Sequence, residues 1–196
     1  MIISETKLKG AFIIEPELFK DERGYLAELW TQIQFQERGM ESLFVQCNVS
    51  YNRKKGTLRG LHYQVAPDAQ AKLVKCTTGA IFDVGVDLNP ASRTYRQWVG
   101  VELSASNHRM LYLSGDFAHG YQTLADDAEV LYMATAGYAP ASERGVRWDD
   151  AAFRIEWPEA RERVMSKRDR EFPNFDVREE GLSFTGITGQ NRKSPV

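Results

Sequence analysis

The chain has 196 residues, of which 42% are hydrophobic, 11% aromatic and 27% charged, and its formal net charge is -2. This composition is typical of a globular protein and excludes a disordered, collagen-like or coiled-coil chain. Because 27 acidic and 25 basic residues nearly balance, the charge gives no reason to expect nucleic acid as a partner. A small ligand or another protein chain is the expected partner.

The cysteines and the first residues of the chain predict the cellular compartment of the protein. Cys47 and Cys76 show no C-x-x-C spacing and no Cys/His cluster, which predicts free thiols in a reducing, cytoplasmic setting. The opening segment MIISETKLKG has no long apolar core and no small-residue cleavage site, so no signal peptide is expected. No apolar run reaches the length of a membrane span, and no membrane association is expected.

Strand-like segments follow one another along most of the chain. Runs rich in β-formers and separated by turn signals occur at 9–15, 43–51, 57–65, 71–79, 80–88, 99–103, 109–113 and 129–133. In the run at 80–88, apolar residues alternate with Asp83, Gly85 and Asp87. This period of two predicts a strand with one buried apolar face and one polar face.

Few segments have the pattern of a helix. The segment 31–40 predicts a helix capped by Thr31, and a short helical turn is predicted over 158–164. Many short strands with so little helix between them favour a mainly β fold, a sandwich or jelly-roll barrel, over a parallel α/β sheet. We expect residues 1–180 to form one such domain and 181–196 to form a polar, turn-rich tail.

The first candidate for chemistry is His62. Strand alternation puts His62 and Gln64 on one face and Arg59, Leu61 and Tyr63 on the other. A histidine that points into a barrel titrates near neutrality and can accept a proton. A hydrogen-bonded core histidine fits the same pattern, so strand alternation alone leaves both interpretations open.

A lysine, two tyrosines and two arginines are ambiguous in the same way. Lys72 begins a strand with Val74 on the same face, so it is either a solvated strand-end residue or a cation that stabilises an oxyanion. Tyr132 and Tyr138 are either core aromatics or phenols aimed into a cavity as proton donors. Arg23 and Arg59 are either surface charges or a fork for a diphosphate, since guanidinium groups match phosphate oxygens.

The sequence lacks the usual metal and nucleotide motifs. A cupin-type metal site needs two histidines one residue apart, but the residue two after His62 is Gln64, so no metal is expected. The chain also contains no G-x-S-x-G, P-loop or G-x-G-x-x-G motif. The usual arguments for hydrolase, P-loop and dinucleotide-binding functions therefore fail.

Several sequence blocks resemble, in their order and spacing, those of the dTDP-4-dehydrorhamnose 3,5-epimerase family. The blocks are DERGYLAELW, VQCNVS, KGTLRGLHYQ, AQAKLVKC, GAIFDVGVDLNPASRTY, VGVELSASN, FAHGYQTL, EVLYMATAGYAP, RGVRWDD, IEWP and SKRDREFP. The resemblance covers residues 12–175. It implies a cupin-like jelly roll with a few short helices, a homodimer, and catalysis without a metal or a redox cofactor.

The resemblance also implies a role for individual residues. His62 matches the catalytic base, Asp169 its partner carboxylate, Lys72 the cation for the enolate oxygen, and Tyr132 the acid on the opposite sugar face. Further positions match residues that hold the sugar, the diphosphate or the nucleotide: Arg23, Glu28, Gln46, Asn48, Arg59, His119 and Tyr138. Of these, the two arginines match the diphosphate ligands.

The expected substrate is a dTDP-linked 4-keto-6-deoxy sugar, inverted at carbons 3 and 5 in rhamnose biosynthesis. Two other hypotheses remain at this point. The first is an epimerase that inverts one carbon only, or that acts on a CDP- or GDP-linked sugar. The second is a non-catalytic sugar-nucleotide binding module, which the loss of His62, Asp169 or Tyr132 would favour, yet all three are present.

Two short regions depart from the family pattern. Ser114 and Asp116 stand in a run where the family usually has P-x-G before F-A-H-G, which predicts a looser turn and an acidic side chain near His119. Cys47 stands where many members have aspartate, between Gln46 and Asn48. Nothing nearby in the sequence activates this thiol, so it is not expected to be reactive.

Overall fold

The structure is a computed structural model that describes residues 1–176. The tail expected at 181–196 and the expected end of the domain at residue 180 lie outside the described residues. The strands are β1 Ile2–Glu5, β2 Ala11–Glu15, β3 Leu18–Asp21, β4 Gly24–Ala27, β5 Gln46–Asn52, β6 Leu58–Gln64, β7 Lys72–Thr78, β8 Ala80–Asp87, β9 Trp98–Ser104, β10 Met110–Leu113, β11 Phe117–Thr123, β12 Ala128–Ala134 and β13 Glu143–Gly145. The helices over this part of the chain are α1 Gln32–Gln36 and α2 Lys167–Glu171. The prediction of a mainly β fold is confirmed.

Two antiparallel sheets and one separate hairpin make up the fold. One sheet has six strands in the order β1-β2-β10-β7-β12-β5, and the other has five in the order β13-β6-β11-β8-β9. Strands β3 and β4 pair only with each other among the described elements. Paired strands run antiparallel in both large sheets, as expected for a jelly-roll barrel.

The main apolar core lies between the two sheets. It joins side chains of β7 and β12, such as Val74 and Val130, to side chains of β8 and β9, such as Ile81 and Leu103. All four residues are fully buried. Because strand side chains alternate, Lys72, two residues before Val74, faces the same interior at the end of the sheet. The expected pairing of Lys72 and Val74 on one face is thus confirmed.

The alternation in β8 separates an apolar face from a polar face as predicted, but both faces are buried. Val84 and Val86 do lie on one face, but residues of the later chain, including Val146 and Phe153, cover that face. The other face points between the sheets, so Asp83 is fully buried and Asp87 is 1% exposed. Alternation correctly separated the two faces, but the packing of other segments decided that both would be buried.

The helix predictions were partly right. Thr31 caps α1 through its side-chain oxygen, but the helix ends at Gln36, where Gly39 takes a positive φ of 70° and the Met40 amide bonds back to the Phe35 carbonyl. No helical turn forms over 158–164, because the Val164 backbone pairs with the chain at Gly56 and Leu58 instead.

Helix α2 was not predicted, although its sequence carries a signal. The Ser166 hydroxyl accepts a hydrogen bond from the Asp169 amide at 3.0 Å, the N-cap half of an S-x-x-D pattern. Both helices of the described region have only five residues, far too few to cross a bilayer.

Candidate active site

A cavity of about 350 Å³ opens between the two sheets. Its lining includes most of the residues singled out from the sequence: Gln46, Asn48, Arg59, His62, Lys72, His119, Tyr132 and Tyr138. Strand alternation explains the contribution of β5, where Gln46, Asn48 and Ser50 face the cavity and Cys47 faces outward. Asp169 lies behind His62, whereas Arg23 and Glu28 are outside this cavity.

A bulge in β6 puts Arg59 on the same side as His62. His62 pairs with His119 and Arg59 pairs with Tyr121, so two residues of β6 oppose only Gly120 of β11. The extra residue shifts the alternation by one position. The prediction that Arg59 and His62 face opposite sides was therefore wrong, and the bulge is what brings the guanidinium to the cavity.

Asn52 holds Arg59 in place. The Arg59 Nε donates a hydrogen bond of 2.8 Å to the Asn52 Oδ1, and Asn52 is only 2% exposed. The Arg59 Nη2 also donates to the Tyr51 carbonyl at 3.4 Å. These two contacts fix the guanidinium, and its other N–H groups can bind an anion. This arrangement suits Arg59 to a phosphate oxygen.

His62 forms a close pair with Asp169. The His62 Nε2 lies 2.7 Å from the Asp169 Oδ1, and the side chains are 31% and 6% exposed. Burial alone would raise the pKa of Asp169, but its hydrogen bond and charge interaction with His62 outweigh burial, so the pKa is lowered. An ionised Asp169 orients the imidazole and leaves the other ring nitrogen for a substrate proton.

Lys72 lies beside His62. Its Nζ donates to the backbone carbonyl of His62 at 3.4 Å. Burial lowers the pKa of Lys72 to about 8, while the nearby carboxylates of Asp83 and Glu143 act in the opposite direction. An ammonium in this position is a fixed donor for an oxyanion that forms next to His62.

A second histidine–aspartate pair stands next to the first. The His119 Nε2 lies 2.7 Å from the Asp83 Oδ1, and His119 pairs directly with His62 across β6 and β11. The other Asp83 oxygen is buried without a hydrogen-bond partner among the described residues. Asp83 was not singled out from the sequence, because alternation marked it only as part of a polar strand face.

Tyr132 lies on the wall opposite His62, since β12 belongs to the six-stranded sheet and β6 to the five-stranded sheet. It pairs in register with Asn48 of β5, whose Oδ1 accepts a hydrogen bond of 3.0 Å from Gln46. Burial raises the pKa of Tyr132 above its ordinary value, although the positive charge of Arg59 acts in the opposite direction. The phenol is therefore neutral at physiological pH and can donate a proton.

Glu143 and Arg168 were not singled out from the sequence. The Tyr138 hydroxyl donates to Glu143 Oε2 at 2.6 Å, and the Arg168 Nη2 reaches the same oxygen at 2.6 Å. Burial would raise the pKa of Glu143, but these two contacts lower it, so the carboxylate is charged. The sequence pattern did not predict this cluster, because Tyr138, Glu143 and Arg168 come from separate segments of the chain.

Arg23 and Glu28 lie on and just after the β3–β4 hairpin. The Arg23 side chain is 86% exposed and pairs with Asp21 at 2.5 Å. Glu28 is exposed and accepts a hydrogen bond of 3.3 Å from Gln34. Neither residue lines the cavity of its own chain.

Residues 5–176 match the model of the dTDP-4-dehydrorhamnose 3,5-epimerase family. The chain belongs to this family. It is 46% identical to the dTDP-4-dehydrorhamnose 3,5-epimerase of Salmonella typhimurium, over 90% of this chain and 96% of that protein. Proteins of this kind are isomerases.

Solved structures of epimerases share the fold. The dTDP-4-dehydrorhamnose 3,5-epimerase from Bacillus anthracis, whose crystal structure has TDP and PPi bound, is 41% identical in sequence to this chain. The two structures match with a TM-score of 0.85 over 89% of this chain and 99% of that chain. ChmJ, a 3'-monoepimerase from Streptomyces bikiniensis in complex with dTDP-quinovose, is 33% identical, with a TM-score of 0.85 over 93% and 92% of the two chains.

In this epimerase-family chain, Gln64 stabilises the loop around Tyr138 through hydrogen bonds. Its Nε2 donates to the carbonyls of Asp68 and Gly137, and its Oε1 accepts from the Ala139 amide. The loop carries Tyr138 into the cavity wall. Within residues 1–176 no three His, Cys, Asp or Glu side chains are arranged to hold a metal ion.

The two departures from the epimerase pattern lie away from the cavity lining. Asp116 accepts a hydrogen bond of 3.0 Å from Asn89 and lines a different cavity, together with Asp87. Asp116 was expected near His119, but the two side chains line different cavities. Cys47 is exposed on the outer face of β5.

Proposed function

We propose that this protein inverts carbons 3 and 5 of dTDP-4-dehydro-6-deoxy-D-glucose and yields dTDP-4-dehydro-L-rhamnose. The observation that carries the proposal is one cavity in which the His62–Asp169 pair and Lys72 lie together, with Tyr132 on the opposite sheet. Inversion needs a base on one face of the sugar and an acid on the other, and this cavity provides both.

The first step is proton abstraction. The 4-keto group acidifies the C–H bonds at carbons 3 and 5, so His62 can take a proton. The C–H bonding pair then forms the C=C bond to carbon 4, and the π pair of the C=O bond moves onto the ketone oxygen. The enolate oxygen formed in this way accepts a hydrogen bond from the Lys72 ammonium. The ketone already activates both carbons, so this chemistry calls for neither a metal nor a redox cofactor.

The second step returns a proton to the opposite face. At carbon 5, Tyr132 donates its phenolic proton to carbon as the enolate collapses to the ketone, and this inverts the centre. The neutral phenol and its place across the cavity from His62 support this role. Proton transfers of this kind contribute a few orders of magnitude each.

The dTDP portion is proposed to bind along the outer part of the cavity. Arg59 is assigned to the diphosphate, and Gln46, Asn48, His119 and Tyr138 to the sugar and nucleotide. The relative from Bacillus anthracis, whose crystal structure has TDP bound, supports this class of ligand. Two free cysteines are in keeping with a cytoplasmic protein.

The exposed apolar surface supports a homodimer. Phe19, Tyr25 and Leu26 of the β3–β4 hairpin are 57%, 57% and 74% exposed, and Val49 and Tyr51 on the outer face of edge strand β5 are 59% and 54% exposed. An isolated two-stranded hairpin is marginally stable, and an apolar edge strand favours pairing with another chain. We place the hairpin against a second copy, where it brings its arginine and glutamate, Arg23 and Glu28, to the partner's cavity.

A mixed dimer tests this arrangement. Homodimers of Arg23→Ala bind substrate poorly and those of His62→Asn lack the base, so each should be impaired. Co-expressed under two tags, the heterodimer should recover activity at low substrate concentration, because one of its cavities then combines an intact His62 with the partner's intact arginine. If Arg23 serves its own cavity, every site carries one defect and no activity returns.

An epimerase of one carbon only is the second candidate, favoured by the similarity to the monoepimerase ChmJ. Incubation with dTDP-4-keto-6-deoxyglucose in heavy water separates the two, because NMR shows deuterium at each exchanged carbon. Label at carbons 3 and 5 supports the double epimerase, and label at carbon 3 alone supports the second candidate. If neither carbon is labelled, the same assay with CDP- and GDP-linked sugars distinguishes another substrate from a non-catalytic module.

Tyr132→Phe tests the assigned acid. This variant should keep deuterium exchange at carbon 3, where His62 still removes the proton, but lower inversion at carbon 5 by about 10²-fold. Tyr95→Phe is the matched control, because its hydroxyl has no hydrogen-bond partner among the described residues and the residue does not line the cavity. Full inversion at carbon 5 in the Tyr132 variant would show that the acid is another group.

A further inference from the structure

The ring of Phe172 packs against the imidazole of His62. Their centroids are 5.5 Å apart and the ring planes meet at 72°, an edge-to-face contact. Phe172 directly follows α2, the helix whose Asp169 binds the same imidazole at Nε2. One short segment therefore contacts His62 twice, through a hydrogen bond and through an aromatic ring.

The space for this ring depends on Gly145. Strand β13 pairs with β6 so that Gly145 lies opposite His62. A Cβ atom at Gly145 would stand 2.3 Å from the Phe172 Cζ, far inside van der Waals contact. The backbone of Gly145 is not in the left-handed region, so the glycine is needed here for space and not for its conformational freedom.

Arg168 holds the same ring from α2. Its guanidinium carbon lies 5.5 Å from the Phe172 ring centroid, and its Nη2 is fixed by Glu143 at 2.6 Å. A cation near an aromatic face is attracted by the ring quadrupole. The Phe172 ring is therefore restrained by Gly145, by Arg168 and by His62 itself.

We propose that Phe172 is a positioning residue for the general base, and that Gly145 provides the space for its ring. A single hydrogen bond at Nε2 lets the imidazole plane swing about that nitrogen. The edge contact with Phe172 limits this swing and shields the ring, so the second ring nitrogen stays aimed into the cavity. The inference rests on the proposed function in one respect, the role of His62 as base.

Four variants of the full chain test it: Phe172→Ala, Phe172→Leu, Gly145→Ala and the double variant Phe172→Ala/Gly145→Ala. Phe175→Ala is the matched control, because this ring packs on Phe153 and Tyr95. Phe172→Ala should lower kcat and deuterium exchange about tenfold, since a misplaced base costs rate, with dTDP affinity unchanged. Leucine should restore most of the rate, and the control should lose thermal stability without a loss of kcat.

A double-mutant cycle identifies the ring as the mediator. Gly145→Ala should impair the rate by pushing Phe172 aside, so it should add nothing once the ring is gone. Additive losses, or unchanged exchange in Phe172→Ala, would overturn the inference.

Chemical modification gives a readout that does not depend on turnover. Diethyl pyrocarbonate should modify His62 faster in Phe172→Ala and Gly145→Ala than in the native chain or in Phe175→Ala, as measured by peptide mass spectrometry. An unchanged modification rate contradicts the shielding. If the native protein labels no sugar while this rate still rises, the proposed function fails and the placement of Phe172 stands.

Discussion

His62→Asn is expected to lower kcat by about 10³-fold and to abolish deuterium exchange at carbons 3 and 5, because the general base is lost. Asparagine retains a polar side chain that can still hydrogen-bond to Asp169, so the fold and the binding of dTDP should be preserved. The measurement is heavy-water NMR of the sugar, with affinity for dTDP determined in parallel by calorimetry.

His108→Asn is the matched control for this variant. His108 has a positive φ of 58°, a conformation that asparagine tolerates, and its ring packs on Tyr25 outside the cavity. Because Tyr25 belongs to the hairpin that carries Arg23, the comparison is made at saturating substrate, where this variant should exchange deuterium at the native rate. Native exchange in His62→Asn would instead remove His62 as the base and leave the His119–Asp83 pair as the next group to test.

Lys72→Met is expected to lower kcat by about 10² to 10³-fold, the usual effect of removing one oxyanion donor. Methionine has a similar length and suits a buried site, so thermal stability should change little or rise, because burial of the ammonium is unfavourable. Lys75→Met is the control, since its Nζ bonds to the His108 carbonyl at 3.3 Å and it does not line the cavity. Equal rates in the two variants would contradict the assignment.

The pKa of Lys72 also predicts a pH dependence. The ammonium of free enzyme loses its proton as the pH rises through about 8, so kcat/KM should fall on the alkaline side of that value. Tyr132 does not explain such a fall, because burial raises its pKa above the usual range. Lys72→Arg keeps its charge at high pH, and its rate, even if lower, should show no decline near pH 8.

Local patterns were sufficient for the fold class and for the orientation of some side chains. The alternation in β7 correctly placed Lys72 beside Val74 on the inner face, and Thr31 correctly marked the start of α1. These predictions succeeded because strand alternation and helix capping depend only on residues close together in the chain. The resemblance to the epimerase family named the residues His62 and Asp169, but the roles of these residues remain proposals.

Other features were decided only by tertiary structure. His62 and Asp169 are 107 residues apart in the chain, and only the docking of α2 on β6 brings them together. Asp83 is a buried hydrogen-bond partner of His119, and a bulge in β6 places Arg59 at the cavity. The sequence by itself determined the two faces of regular strands such as β7 and β8, because that alternation is local. What covers each face, and which distant residues meet there, depends on how the sheets and later segments pack.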